Sequence, residues 1–312
     1  MRIVMPSELH EFVLRTPFVC VSVRCAEADL RARAEALFAS YPRDTATITE
    51  AQPECVRIAL ERAGDGAAVR VKCPGAAPVP CDREYSEDDA LARLEGEFYR
   101  VVLAAAHAQG WTPVHAAALA FGEHGVLLLG ESGAGKSTLA LEWLRCHSDA
   151  HYLSDDVVFL DAANGLNVVG LPRLVGFEHP WPTATHPLPE TFALSQWKAS
   201  GRAQRTVLTR HAVAVAPSRV RNAPVRLAAA VLPRYEPARL GSAEEAVLEP
   251  LLPREATAAV WQAVLHEPSA TASEFERVAA LVRQATVTYR LRSATRESAR
   301  RALASLLPAL TT

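Results

Sequence analysis

The sequence predicts an α/β protein with a phosphate-binding core and a small α+β unit in front of it. Three observations carry that reading. The stretch VLLLGESGAGKSTLALEWL (126–144) runs from an apolar, strand-like segment through a glycine loop into a helical pattern. Short alternating segments and helix-length periodic ones recur on both sides of it. Finally, VKCPGAAPVPCDREY (71–85), rich in proline and small residues, reads as a linker between a first domain, 1–84, and a second, 85–312.

The first block opens with PFVCVSV (17–23), which alternates as a strand does. In EADLRARAEALFASYP (27–42), Leu30, Ala34, Leu37 and Tyr41 share one helical face before Pro42 stops the pattern. CVRIALERAGDGAAVRVKC (55–73) reads as two strands about a Gly64-Asp65-Gly66 turn. In the second block Ser86 is an N-cap for EDDALARLEGEFYRVVLAAAHAQ (87–109), whose early acids suit the positive end of a helix dipole and whose stop is Gly110. PVHAAALAFGEHGVLLLG (113–130) gives two strand-like runs about residues 122–125. KSTLALEWLRC (136–146) is helical, and HYLSDDVVFLDAANGLNVVG (151–170) reads as two strands joined at Asn164-Gly165.

Residues 178–215 carry Pro180, Pro182, Pro187 and Pro189 with little apolar periodicity, and read as a long surface excursion of the kind that forms lids or binding loops. PVRLAAAVLPRY (224–235) returns as a strand, and Ser242 with Glu245 forms a capping-box pattern ahead of a helix. The chain closes with a helix (272–285), the strand TVTYRLR (286–292) and a helix (294–306).

With 312 residues, 49% of them hydrophobic, the chain can bury a full core. Its 33 Lys and Arg against 35 Asp and Glu leave a net charge of −2, so no global basic field serves nucleic acid or an anionic membrane, and any phosphate binding is local. The N-terminal stretch MRIVMPSELHEF lacks an apolar core of signal-peptide length, and a cytoplasmic location is expected. Six scattered cysteines without a CxxC pair suit reduced thiols better than disulfides or zinc ligands.

Gly130-Glu131-Ser132-Gly133-Ala134-Gly135-Lys136-Ser137 satisfies G-x-x-x-x-G-K-[ST] in full, followed by Thr138. Glycines let successive N–H groups turn inward around phosphate oxygens, Lys136 reaches the β/γ phosphates, and the Ser137 hydroxyl suits Mg²⁺. Phosphate alone leaves several classes open, so a second acidic element must decide. Asp155 and Asp156 follow Lys136 by only 19 residues, one helix and the start of one strand. Flanked by Tyr152, Leu153, Val157, Val158 and Phe159, the pair is expected inside a buried strand, where carboxylates need a metal or a donor. Such a pair divides two tasks at a phosphate site, holding Mg²⁺ and taking the proton of an attacking hydroxyl. His147 and His151 have metal-like spacing but straddle a helix-to-strand turn and read as a solvated turn. Arg234-Tyr235 reads as a strand end packing its tyrosine.

In order, His115 in VHAAAL, then GESGAGKST, then HYLSDD resemble the core of the HPr kinase/phosphorylase family. The likeness is closer to the HPr-kinase-related kinases of family A, which occur beside small PqqD-like peptide-binding proteins. LRTPF (14–18), HAAALAF (115–121), LSDD (153–156) and LPRYEP (232–237) are similar to that group's segments and span most of the chain. The resemblance implies a P-loop kinase core of the HPr kinase and phosphoenolpyruvate-carboxykinase type, using ATP and Mg²⁺ to phosphorylate a Ser or Thr hydroxyl on a peptide or small protein. Relatives in lasso-peptide clusters phosphorylate serine on a precursor peptide. The resemblance further implies Asp155 as general base, Asp156 with Ser137 as Mg²⁺ ligands, His115 beside the reacting phosphate, and self-association as in the hexameric HPr enzymes.

The chain also departs from the family. Thr138 stands where the HPr enzymes usually carry Glu, and their segment for the reverse, phosphorylase reaction is not found. WKASGRAQR (197–205) matches the T-x-K-G segment of family A imperfectly; its Lys198, Arg202 and Arg205 are candidates to clamp phosphate or substrate. A small-molecule hydroxyl kinase and a nucleotide-binding regulatory protein without transferase activity are the alternative functions.

Overall fold

The computed structural model describes residues 10–41, 43–44, 55–63, 66–72, 86–161, 166–177, 192–200, 207–236, 246–265, 275–276, 278–280, 282 and 288–306. Mixed α/β structure runs throughout. In chain order come β1 (His10–Arg15), β2 (Cys20–Cys25), α1 (Ala28–Leu37), β3 (Arg43–Asp44), β4 (Val56–Ala63), β5 (Gly66–Lys72) and α2 (Glu87–Ala108). There follow β6 (Thr112–His115), β7 (Ala117–Phe121), β8 (His124–Leu128), α3 (Lys136–Cys146), β9 (Ala150–Ser154), β10 (Val157–Asp161) and β11 (Asn167–Gly170). The remainder is β12 (Val175–Phe177), β13 (Phe192–Ser200), β14 (Val207–Val215), β15 (Val225–Tyr235), β16 (Ala246–Pro250), α4 (Pro253–Ala263), β17 (Thr288–Ser293) and α5 (Arg296–Ala304). Among the described residues no helix is long and apolar enough to cross a membrane.

Two compact units divide the chain: Met1–Ala105 with Arg173–Pro217, and Ala106–Pro172 with Ser218–Thr312. In the first unit α2 contributes Phe98, which meets Phe38 at 5.0 Å and, edge-on, Tyr41 at 5.3 Å between ring centroids. Edge-to-face aromatic packing of this kind adds to plain burial. Ser40 Oγ accepts from the Val215 N–H at 3.1 Å, and Arg173 donates to Glu95 at 2.9 Å, which ties the later segment to the same core.

The first unit holds a five-stranded sheet in the order β3-β1-β2-β4-β5 and a three-stranded sheet β12-β14-β13. The strand, helix and hairpin expected in residues 17–72 are all present, with Ala63 facing Gly66 across the hairpin. The expectation for 178–215 is corrected in part. β13 and β14 pair over nine residues, and Val213 and Val215 are fully buried. The four prolines that suggested an excursion lie outside the described residues. Cysteine chemistry differs too: Cys20 and Cys55 form a disulfide, with Cα atoms 4.8 Å apart. They come together because β2 and β4 are parallel neighbours whose register starts at Val21 opposite Val56, one residue on from each cysteine.

The second unit is built on a nine-stranded sheet with the path β6-β10-β11-β15-β8-β7-β9, to which β17 joins at β15 and β16 at β17. α2, nearly all of it in the first unit, is capped as read: the Asp89 N–H donates to Ser86 Oγ at 3.2 Å, and Gly110 (φ 81) closes the helix. Residues 151–170 form three strands rather than two, because the chain bends at Asp155-Asp156. The helix expected after Ser242 and Glu245 is preceded by β16; α4 starts at Pro253, with Leu252 as its N-cap, where Pro at the first helical position loses no hydrogen bond. Gly170 is required by close approach, since a Cβ there would sit 2.1 Å from the Leu153 carbonyl oxygen.

Candidate functional site

β7 is antiparallel to both β8 and β9, so β8 and β9 run in one direction; β15 is parallel to β8. The C-terminal ends of β9, β8 and β15 therefore point the same way. They carry, respectively, the acid pair, the glycine loop and Arg234-Tyr235. In α/β sheets ligands bind outside the carboxyl ends of parallel strands.

The loop leaves the sheet after Leu129, whose N–H donates to the Val231 carbonyl at 2.8 Å. Gly130 (φ 140), Gly133 (φ 84) and Gly135 (φ 88) adopt conformations closed to most side chains. Gly135 is the N-cap of α3, so the first turn of that helix opens directly from the loop with its N–H groups outward. Glu131, Ser132, Gly133 and Gly135 are exposed; Gly130, Ala134, Ser137 and Thr138 are half-buried.

Lys136, the first residue of α3, is 6% exposed. Its Nζ donates to the Gly130 carbonyl at 2.7 Å and the Glu131 carbonyl at 3.0 Å, which holds the ammonium across the mouth of the loop. Burial lowers its pKa, and the nearby charges of Asp155 and Asp156 oppose that shift. Lysine and acid pair thus belong to one electrostatic cluster.

The acid pair is not inside a strand, contrary to the sequence expectation. It sits half-buried on the bend between β9 and β10. The cause is Ser154, fully buried, whose Oγ accepts from the N–H groups of Asp156 (3.3 Å) and Val157 (3.2 Å) while donating to the Leu171 carbonyl at 2.9 Å. A serine side chain that takes backbone donors replaces ladder bonds and turns the chain.

Behind the bend, the Ala116 N–H donates to the Asp156 carbonyl at 3.2 Å. His115 Nδ1 lies 2.9 Å from Asp156 Oδ1 and 3.1 Å from the Asp156 carbonyl. Both neighbours are acceptors, so Nδ1 carries the proton and Nε2 faces away from them. The hydrogen bond with Asp156 raises the His115 pKa, against a smaller opposing effect of burial. His115, Lys136, Asp155 and Asp156 are thereby brought together from β6, α3 and the β9–β10 bend.

Other sequence candidates lie elsewhere. Lys198 is on β13, with its side chain outside the described residues, as are Arg202 and Arg205 altogether. Arg234 is exposed and its Nε pairs with Glu236 at 2.8 Å. Tyr235 is 63% exposed, so the strand end does not pack its tyrosine. His147 caps the end of α3 and His151 Nδ1 lies 3.1 Å from the Asp149 carbonyl, a turn as expected.

Two contributors escaped the sequence reading. Ser154 shapes the bend; its signal was its place directly before the two acids. Arg219 donates to the carbonyls of Leu144 (2.9 Å), His147 (2.8 Å) and Ala150 (2.9 Å), pinning the turn that delivers β9, and nothing in its local sequence announces that.

Among the described residues no group of three or more His, Cys, Asp or Glu forms a metal cage. Oxygen donors in or beside the loop include the Asp155 and Asp156 carboxylates and the Ser137 hydroxyl, hard ligands of the type Mg²⁺ takes together with phosphates. No protein-family model matches the chain, and a search of curated proteins finds no match.

Proposed function

We propose that this chain is a Mg²⁺- and ATP-dependent kinase of the HPr-kinase-like type, transferring the γ-phosphoryl group to a Ser or Thr hydroxyl of a peptide or small protein, with a PqqD-like peptide-binding protein as a candidate partner. One observation carries it. Lys136, at the mouth of a glycine loop, shares its electrostatic environment with two adjacent carboxylates held on a separate bend. A glycine loop alone holds phosphate; adjoining acids add the means to activate an acceptor.

In this reading the N–H groups of residues 130–137 and the Lys136 ammonium hold the β- and γ-phosphates. Ser137 and Asp156 hold Mg²⁺, which supplies charge neutralisation at the transferring group. Asp155 orients the acceptor hydroxyl and takes its proton. His115, hydrogen-bonded to Asp156, is a positioning residue that fixes the orientation of that carboxylate. Catalysis is then positioning plus charge stabilisation, as phosphoryl transfer requires.

The test is incubation of the protein with γ-labelled ATP, Mg²⁺ and candidate Ser- or Thr-containing peptides, read by label transfer and mass gain. Transfer that disappears in Asp155→Asn, with ATP binding retained, is the expected result. ATP binding without transfer to any hydroxyl would favour a regulatory nucleotide-binding protein, and transfer to sugars or amino acids instead of peptides a small-molecule kinase.

A further inference from the structure

Among the described residues, Tyr235 is an exposed aromatic side chain at the loop end of the sheet that the proposed chemistry does not use. It is 63% exposed, yet its backbone is firmly held. Tyr235 pairs with Ser293 in the parallel β15–β17 ladder, the Glu236 N–H donates to the Ser293 carbonyl at 2.9 Å, and the Glu236 carboxylate, almost buried, takes Arg234 Nε at 2.8 Å. An exposed ring on a rigid strand end loses little freedom when a flat ligand stacks on it.

Strand order gives that ring its place. Along the path β15-β8-β7-β9 the glycine loop leaves β8, the acids follow β9 on one side, and Tyr235 ends β15 on the other. Leu128 of β8 pairs with Val231, and Tyr235 lies four residues further, about 13 Å along the strand. Facing also agrees. Ala230 and Leu232 pack on the core cluster that includes Leu127 and Leu129, so Val231 and Tyr235 point to the opposite face. That face is the one on which Phe121 of β7 meets Trp143 of α3.

We propose that Tyr235 is the nucleobase platform of the site, its ring stacking on the base of the bound nucleotide. This rests on the kinase reading in one respect: a nucleotide whose γ-phosphate faces Asp155 and Asp156 must extend its base away from β9, toward β15. The acceptor approaches from the acid side, which leaves the β15 side to the base. Stacking reads a π-face rather than a hydrogen-bond pattern, so the platform accepts purines generally.

Calorimetric titration of the full chain with Mg-ATP and with Mg-tripolyphosphate separates base from phosphate. Tyr235→Ala is expected to weaken ATP about tenfold while tripolyphosphate stays within about twofold, and Tyr235→Phe to keep wild-type affinity for both. GTP should lose affinity in parallel with ATP. Unchanged ATP affinity in Tyr235→Ala would assign the ring to the acceptor and overturn the proposal. Equal loss of both ligands, a sign of damage to the loop, would also overturn it. Wild-type protein that binds neither ligand would instead defeat the kinase reading beneath it, so the two failures are distinct.

Discussion

The two units spend their buried polar groups differently. In the first, burial is carried mainly by the aromatic cluster of Phe38, Tyr41 and Phe98 and by a disulfide between neighbouring strands, with Ser22, Ser40 and Glu97 as its buried polar groups and pairs such as Arg33 with Glu87 and Asp88 half-exposed. In the second, Lys136 at the start of α3 and Ser154 at the end of β9 are buried and hydrogen-bonded to backbone carbonyls and N–H groups. Polar groups buried in that way are costly unless every bond is made, and they concentrate where a ligand repays them. The contrast sets a unit packed around aromatic rings beside one whose buried lysine and serine border a glycine loop and an acid bend.

Substitutions can break that comparison, and the largest effects belong to the site. Under the kinase proposal, Asp155→Asn is expected to reduce phosphoryl transfer by about 10²- to 10⁴-fold, measured as label transfer, with little change in thermal midpoint. A comparable loss of midpoint would mean that the carboxylate is structural. In the first unit the order reverses. Phe98→Ala should cost about 3–5 kcal/mol in denaturant unfolding, because its ring is fully buried among others. Reduction of the Cys20–Cys55 bond, which closes 35 residues, or its removal in Cys20→Ser, should cost about 2–4 kcal/mol by the same measurement.

Smaller effects sharpen the boundary between packing and site. Ser154→Ala leaves the N–H groups of Asp156 and Val157 and the Leu171 carbonyl short of a partner, which should cost about 1–3 kcal/mol and also lower transfer by displacing the acids. Loss of stability alone would separate the bend from the chemistry. His147 supplies the mildest test. Burial lowers its pKa, so the folded state prefers the neutral ring. Stability from this group is fully present above the ordinary histidine pKa near 6.5 and falls as pH drops through it toward the folded value. Thermal midpoints followed from neutral to mildly acid pH should fall less steeply in His147→Asn than in wild type.

Much of this was legible in the sequence. The strand-loop-helix from 126 to 144 could be read directly because glycine conformations and helix periodicity are local properties, and the hairpin at 56–72 for the same reason. The acid pair was visible as residues but misplaced as structure: Val157, Val158 and Phe159 suggested a continuous buried strand, whereas one serine hydroxyl bends the chain ahead of them. The segment 192–215 showed few regular apolar positions, yet it forms paired strands because its inner residues, Ala212 to Val215, are buried from both faces and need no alternation.

By itself the sequence determined the local chemistry: a glycine loop of the phosphate-binding pattern, a lysine at its end, two adjacent acids, and caps such as Ser86, all set by residues within a few positions of one another. Only the tertiary structure decided which distant residues share a space. Strand order brought His115 to Asp156 across 41 positions, joined Cys20 to Cys55, and set Tyr235 on the side of the glycine loop opposite the acids. Those placements follow from pairing between strands far apart in the chain. Such pairing depends on the whole core, and no short window of residues encodes it.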